Sequence, residues 1–160
     1  GRFFIYNIGI GNKNQKKKMF YDNNNLQWAS FSPELKEIDY LKNSNKSIKC
    51  HISTLDTFLS KNKKLINKKI DLIKIDTEGY ELEVLNGAKK AIKKYKPKYI
   101  QIEYNWHHLF KNVNLYYFSK ILENYQAYKI FPYSKKLIKI NPKRPENNYF
   151  NYSNIVFIRK

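Results

Sequence analysis

The sequence predicts an α/β fold with a mostly parallel sheet and an antiparallel strand near the C-terminus. Two observations predict it. Residues 70–76 form an apolar run, a helical pattern then extends to about Tyr95, and residues 99–103 form a second strand. A strand–helix–strand order makes the two strands parallel, with a right-handed crossover. The tail alternates apolar and polar residues, which is typical of strands. At 160 residues, one domain over the whole chain is expected.

The elements before this unit are shorter. Residues 3–10 are predicted to form a buried strand that runs into a glycine turn. Strand-like pieces lie at 18–21 and 28–31, and the alternation at 48–52 predicts a further strand. Ser53 or Thr54 can cap a helix over residues 55–60, and a Lys/Asn connector covers 61–69.

The elements after the turn at residues 77–79 follow apolar periodicity. Val84, Leu85, Ala88 and Ile92 define one face of a single helix to about Tyr95. Similar spacing predicts a second helix over residues 115–128. The tail is assigned three strands, and the last two are predicted to pair antiparallel; they are 129–131, 137–140 and 154–158.

The net charge of +18 is discounted as a sign of nucleic-acid binding. Lysine supplies 28 of the 31 basic residues, and Lys, Asn and Ile together fill 67 of the 160 positions. Base composition of the genome explains this bias at least as well as function does. Arginine, the residue that reads grooves and clamps phosphates, occurs only three times. Nucleic acid is therefore not expected as a partner.

Two further observations limit the class of protein. No apolar run approaches the roughly 20 residues that span a bilayer, so membrane insertion is not expected. Cys50 is the only cysteine, which excludes an internal disulfide and a multi-cysteine zinc site. We therefore expect a reducing compartment, the cytoplasm, and assign Cys50 to core packing.

Polar side chains gather where three predicted strands end, which is where ligands bind in open α/β sheets. Asn7 lies in the first strand, and Asp76 and Glu78 follow the second. Glu103 and Asn105 close the third, with His107 and His108 beyond them. Alternative interpretations without a functional role stay open for two of these signals. Glu78 favours a helix N-terminus in any case, and either histidine is compatible with a surface loop.

Lys74 and Asp76 share one face of their strand by alternation. A lysine in a central strand is costly unless it is paired. Glu103 on the adjacent strand is the predicted partner of Lys74.

The sequence resembles the FkbM-type methyltransferases, which use S-adenosylmethionine. The resemblance rests on residues 70–88, IDLIKIDTEGYELEVLNGA, with support from NIGIG at 7–11, STLDTFL at 53–59, QIE at 101–103 and NIVF at 154–157. It implies a Rossmann-like class I methyltransferase fold. It also implies methyl transfer to a hydroxyl oxygen on a sugar or another hydroxyl-bearing small molecule or glycan.

The resemblance also implies roles for single residues. Asp76 would lie beside the methionine moiety of S-adenosylmethionine and is the first choice for general base. The remaining roles are predicted as follows: His107 as the second choice of base, Glu78 orienting, Asn7, Ile8 and Gly9 near the adenine, and Glu103, Asn105 and His108 binding the acceptor. No metal ligand is predicted.

One departure from the family pattern concerns the N-terminal part. The Gly-rich loop that cradles the cofactor, and the acidic residue that holds the ribose, have no counterpart in this sequence. We therefore expect an N-terminally truncated domain that lacks roughly 60 or more residues, about two strand–helix units. Alone, this chain is expected neither to bind the cofactor tightly nor to turn over.

A second function class is retained as the alternative. The chain would then be a non-catalytic basic module that binds RNA or an acidic glycan. A decayed gene fragment without function is the third possibility.

Overall fold

The computed structural model describes residues 3–22, 25–38, 46–63 and 69–160. Within these ranges the chain forms two sheets. The first contains four strands in the order β1-β4-β2-β3. Its strands are β1 (Gly9–Ile10), β2 (Gln15–Asp22), β3 (Asn25–Ser30) and β4 (Lys46–Ser53). A 3-10 turn at Pro33–Glu37 follows β3, and helix α1 (Leu55–Lys61) follows β4.

The second sheet contains five strands in the order β5-β6-β9-β7-β8. The strands are β5 (Leu72–Ile75), β6 (Tyr99–Tyr104), β7 (Tyr125–Phe131), β8 (Lys136–Lys139) and β9 (Ser153–Arg159). Its helices are α2 (Glu81–Asn86), α3 (Lys89–Tyr95), α4 (His107–Phe110) and α5 (Leu115–Ile121), and a 3-10 turn at Pro145–Asn147 precedes β9.

The α/β class is confirmed, but a mostly parallel sheet is not. Among the described strands two pairings are parallel, β1 with β4 and β5 with β6. The other five are antiparallel. The reason lies in the connections: a helical crossover joins β5 to β6, as predicted, whereas a short turn joins β7 to β8. The C-terminal strand β9 is antiparallel to both its neighbours, as expected.

The predicted buried strand over residues 3–10 is wrong for most of its length. Only Gly9 and Ile10 pair, opposite Ile52 and Ser53. Phe3 and Ile5 are 94% and 97% exposed. Apolar residues predicted a strand there, but a strand needs a partner on at least one edge, and the described residues provide one only from Gly9 onward.

The single helix predicted after the turn is divided at Gly87. The backbone of Gly11 approaches so closely that a Cβ at position 87 would overlap its carbonyl. Asp56 of α1 caps the N-terminus of α3. Its carboxylate accepts hydrogen bonds from the backbone N–H groups of Lys90 (3.1 Å) and Ala91 (2.7 Å). A long-range contact therefore ends one helix and caps the next.

The helix predicted over residues 115–128 ends early, because β7 begins at Tyr125. The Tyr125 hydroxyl donates to the Pro97 carbonyl (2.8 Å), and its strand pairs with β9. The predicted pairing of residues 137–140 with 154–158 is also wrong, because β8 pairs with β7 instead. An apolar residue at helical spacing can equally begin a strand, so periodicity alone did not decide this boundary.

The core lies between the second sheet and its helices. Ile100, Ile102 and Tyr104 of β6 are fully buried and contact the apolar faces of α2 and α5. The central strand β6 thereby holds its C-terminal end, and the residues just after it, in a fixed position. No helix in the described part of the chain is long and apolar enough to cross a membrane.

Candidate functional site

The site begins at the turn after β5. Glu78 has a φ of 49° and Gly79 a φ of 90°, so two successive residues adopt the left-handed region. A residue other than glycine rarely occupies this region, and such strain persists only where the surroundings hold it. The Ser30 hydroxyl from the first sheet donates to the Glu78 carbonyl (2.8 Å), and the Lys111 ammonium donates to the Gly79 carbonyl (2.7 Å).

Glu81 holds this turn from within. It is 1% exposed, and its Oε1 accepts hydrogen bonds from the backbone N–H groups of Thr77 (2.8 Å) and Gly79 (3.3 Å) and from the Thr77 hydroxyl (3.1 Å). Two of these donors are backbone groups of the turn just before α2, and the third is a side-chain hydroxyl of the same turn. The carboxylate therefore fixes the geometry of the turn that carries Asp76 and Glu78.

The second oxygen of Glu81 contacts His108. Its Oε2 lies 3.0 Å from Nε2 of the buried imidazole. The opposite ring nitrogen, Nδ1, lies 3.3 Å from both the backbone N and the backbone O of Asn105, so either protonation state finds a partner. Burial raises the pKa of Glu81, but the hydrogen bond and charge of His108, with the Thr77 N–H, outweigh it, and the pKa lies below its usual value.

A second imidazole–carboxylate pair lies beside the first. Nδ1 of His107 is 2.9 Å from Oε2 of Glu78. His107 is 2% exposed, and its backbone N–H donates to Oδ1 of Asn105 (3.0 Å). The short helix α4 thus presents two successive histidines to two carboxylates of the β5–α2 turn. His107 fixes the side chain of Glu78, and His108 fixes that of Glu81.

Three carboxylates converge at the ends of β5 and β6. One oxygen from each of Asp76, Glu78 and Glu103 lies within 4.8 Å of the other two. Asp76 is exposed, Glu78 is half-buried, and Glu103 is buried. Carboxylate oxygens this close together form one acidic cluster at the ends of the two strands.

The surroundings of Glu103 raise the pKa of its carboxyl group. Burial raises its pKa above the usual value, and the charges of Glu78, Asp76 and Glu81 add to the rise. Nδ2 of Asn105 donates to Oε2 of Glu103 (3.1 Å), and the exposed Tyr152 hydroxyl donates to it as well. The hydrogen bond and charge of Glu103 raise the pKa of Tyr152 to about 12.

The predicted pairing of Lys74 with Glu103 is wrong. The Lys74 ammonium lies 2.8 Å from Oδ2 of Asp76, and that pair raises the pKa of Lys74. The two residues share a face of β5, as predicted, and Lys74 is 54% exposed. Solvent removes the cost that a central position would impose, so Lys74 pairs with its neighbour two residues along.

The structure brings six of the predicted site residues together: Asp76, Glu78, Glu103, Asn105, His107 and His108. Among the described residues, no contact joins Asn7, Ile8 or Gly9 to this cluster. Gly9 lies in β1 of the first sheet, where a Cβ would overlap the Ile52 side chain, and Asn7 and Ile8 precede it. His108 is buried behind Glu81, which places it away from a solvent-borne acceptor.

Sequence reasoning missed Glu81 and Tyr152. An acidic residue in the first turn of a helix favours the helix dipole in any case, so its position gives no reason to single out Glu81. The capping-box spacing of three residues does not mark it either, because Glu81 is the first residue of α2 and reaches back four residues to Thr77. Nothing local marks Tyr152, which reaches Glu103 through the pairing of β9 with β6.

A family model described as Methyltransferase FkbM domain matches residues 3–130. A crystal structure of methyltransferase FkbM from Methylobacillus flagellatus KT is 18% identical, with a TM-score of 0.46, and the match covers 96% of this chain and 28% of that chain. No curated protein matches the chain.

Proposed function

The chain belongs to the methyltransferase FkbM family, and on that premise we propose that it transfers the methyl group of S-adenosylmethionine to a hydroxyl oxygen of a sugar, a glycan or another small molecule. The observation that supports this reaction is the cluster of Asp76, Glu78 and Glu103 at the ends of neighbouring strands, in which His107 contacts Glu78. A Rossmann-like arrangement within a single domain belongs to the same proposal.

The proton of the acceptor hydroxyl goes to a carboxylate of this cluster. Methyl transfer is an in-line displacement, so the protein has to align the acceptor and remove its proton. Asp76 is the member of the cluster that faces solvent, and it takes this role first. Glu103 is the second choice for the general base that accepts this proton, because its raised pKa lies closer to neutral pH. His107 positions Glu78, whose carboxylate binds the acceptor beside them.

The described residues fit part of the cofactor. S-adenosylmethionine supplies the methyl group as a sulfonium when bound. The exposed carboxylate of Asp76 suits the ammonium of its methionine moiety, and the exposed amide of Asn7 suits the polar edge of an adenine. Ile8 and Gly9 are half-buried, and Gly9 is packed on Ile52, so they contribute backbone rather than an open glycine cradle.

Asp76→Asn in the full-length gene product tests this function. Tritium-labelled S-adenosylmethionine would be supplied with monosaccharides and soluble glycans, and both S-adenosylhomocysteine and labelled product would be measured. We expect the variant to lose at least about 100-fold in rate, because general-base catalysis contributes that much. Binding of S-adenosylhomocysteine, followed by calorimetry, reports the cofactor contact separately.

The matched control is Asp71→Asn. Asp71 is also exposed and also pairs with a lysine two residues away, Lys69 at 2.8 Å, but it precedes β5 and lies outside the carboxylate cluster. Its rate should equal that of the parent protein. An Asp76→Asn variant as active as the Asp71→Asn variant would refute the proposed role of Asp76, and a parent protein without any methyl transfer would refute the function.

A further inference from the structure

Three cavities join along the helical face of the second sheet. The first, about 1140 Å³, lies between α5, β7 and residues 139–147. The second, about 790 Å³, lies between α3, the end of α5 and the end of β9, and it shares Lys120 and Lys160 with the first. The third, about 530 Å³, shares Tyr116 and Lys143 with the first and extends to Phe150. We call these joined cavities the trough.

The trough is strongly basic. Lys139, Lys143 and Arg144 line its first cavity, and Lys120 and Lys160 line the first two. The second cavity adds Lys89, Lys93, Lys96 and Arg159. All nine side chains are exposed, and two of the three arginines of the chain are among them. The trough is lined by two acidic residues, Glu123 and Glu146.

Most of these side chains have no carboxylate partner among the described residues. In the described part of the chain, Arg144 is the single one of the nine with a carboxylate within 4 Å, Glu146 at 3.8 Å. The Lys160 ammonium donates to a neutral group, the Glu123 carbonyl (3.1 Å). A concave surface lined by unpaired charge of one sign attracts a ligand of the opposite sign.

The trough leads toward the carboxylate cluster. Its second cavity lies at the edge of the sheet where β6 begins, and Glu103 lies at the other edge, roughly 15 Å along the strand. The third cavity ends at Phe150, whose ring is 5.5 Å from that of Tyr104. Two residues later Tyr152 donates to Glu103. The third cavity therefore ends beside a segment that contacts the cluster, and Tyr104 itself is fully buried.

We infer that the trough binds an acidic glycan chain, with one sugar unit reaching the carboxylate cluster. That the bound chain is also the methyl acceptor rests on the proposed function; the binding itself does not. A glycan is favoured over a nucleic acid because Tyr116, 37% exposed, is the one exposed aromatic residue that lines the trough. Single-stranded nucleic acid requires a series of stacking rings. Lysine, a flexible point charge, suits carboxylates at irregular spacing.

Fluorescence anisotropy of labelled oligogalacturonate with the full-length gene product, without cofactor, tests the inference. We expect binding that weakens as salt rises from about 50 to 200 mM. Lys120→Glu/Lys143→Glu alters both junctions between cavities and should weaken binding roughly tenfold or more. The control, Lys16→Glu/Lys18→Glu, changes two exposed lysines of β2 by the same total charge and should stay within about twofold of the parent.

Three results would overturn the inference: no salt-sensitive binding, equal losses in both double variants, or tighter binding of an oligouridylate of equal charge. The last would favour RNA. Asp76→Asn should retain glycan binding, because Asp76 lies outside the trough. If the glycan binds and the variants behave as expected, but no methyl transfer is detected, only the proposed function is refuted. If methyl transfer is detected without such binding, only the inference that the trough binds a glycan is refuted.

Discussion

Two regions of the five-stranded sheet carry opposite charge, and they compensate it differently: the carboxylate edge, where β5 and β6 end, and the basic edge, which the trough lines. At the carboxylate edge, Glu81 and Glu78 contact His108 and His107 at 3.0 and 2.9 Å. At the basic edge, the lysines of the trough stay exposed, and among the described residues most have no carboxylate within 4 Å. A buried charge has to be compensated inside the protein, whereas an exposed charge stays hydrated until a partner arrives. The first edge can therefore hold a precise geometry, and the second can attract a ligand.

The largest expected difference between the edges is in stability. Glu81→Ala should lower the free energy of unfolding by about 3–5 kcal/mol, because it leaves His108 buried without its carboxylate and the Thr77 and Gly79 N–H groups without an acceptor. Glu146→Ala, at the basic edge, removes an exposed carboxylate 59% accessible to solvent, and the change should stay within about 0.5 kcal/mol. Urea unfolding monitored by circular dichroism measures both, and equal effects would contradict the comparison.

Two non-glycine residues with a left-handed backbone conformation, one at each edge, test the comparison of the two edges. Lys96 has a φ of 47° at the end of α3, and its side chain is exposed. Lys96→Gly should raise the free energy of unfolding by about 1 kcal/mol, because glycine adopts this region without strain.

Glu78, with a φ of 49°, gives the matched test at the carboxylate edge. Glu78→Gly relieves the same strain but leaves the buried His107 without its carboxylate, so we expect a net loss of about 1–2 kcal/mol. Thermal unfolding of both variants compares them. A gain in Glu78→Gly as large as that in Lys96→Gly would mean that the His107 contact contributes nothing.

The smallest expected effect concerns pH. The folded-state pKa of Glu103 lies above its unfolded value, so the folded protein binds this proton more tightly. Stability contributed by that proton is present at low pH and is lost as the pH rises from the usual carboxyl range through the raised pKa. Glu103→Gln should remove this loss and flatten the dependence of Tm on pH. Glu123→Gln, at the basic edge, should leave the profile unchanged; a parallel profile for Glu103→Gln would contradict the assignment.

Local signals predicted a good part of the fold. The alternation in residues 48–52 predicted β4, and α1 starts where expected, with Thr54 Oγ1 accepting from the Thr57 N–H at 3.0 Å. The strand–helix–strand unit around β5 and β6 is confirmed as a parallel pair. That unit also placed Asp76, Glu78 and Glu103 together, because the ends of parallel neighbours lie at one edge. The chemical roles assigned to them stay predictions.

The remaining parts depended on contacts between distant segments. The sequence by itself determined which residues are apolar, which turns are tight and which strand ends carry carboxylates, because these properties act within a few residues. Only the tertiary structure decided that Gly87 divides a helix against Gly11, that Tyr125 begins a strand against Arg159, and that Glu81 contacts His108. Each depends on the partner that reaches the position, and a partner more than twenty residues away leaves no local pattern.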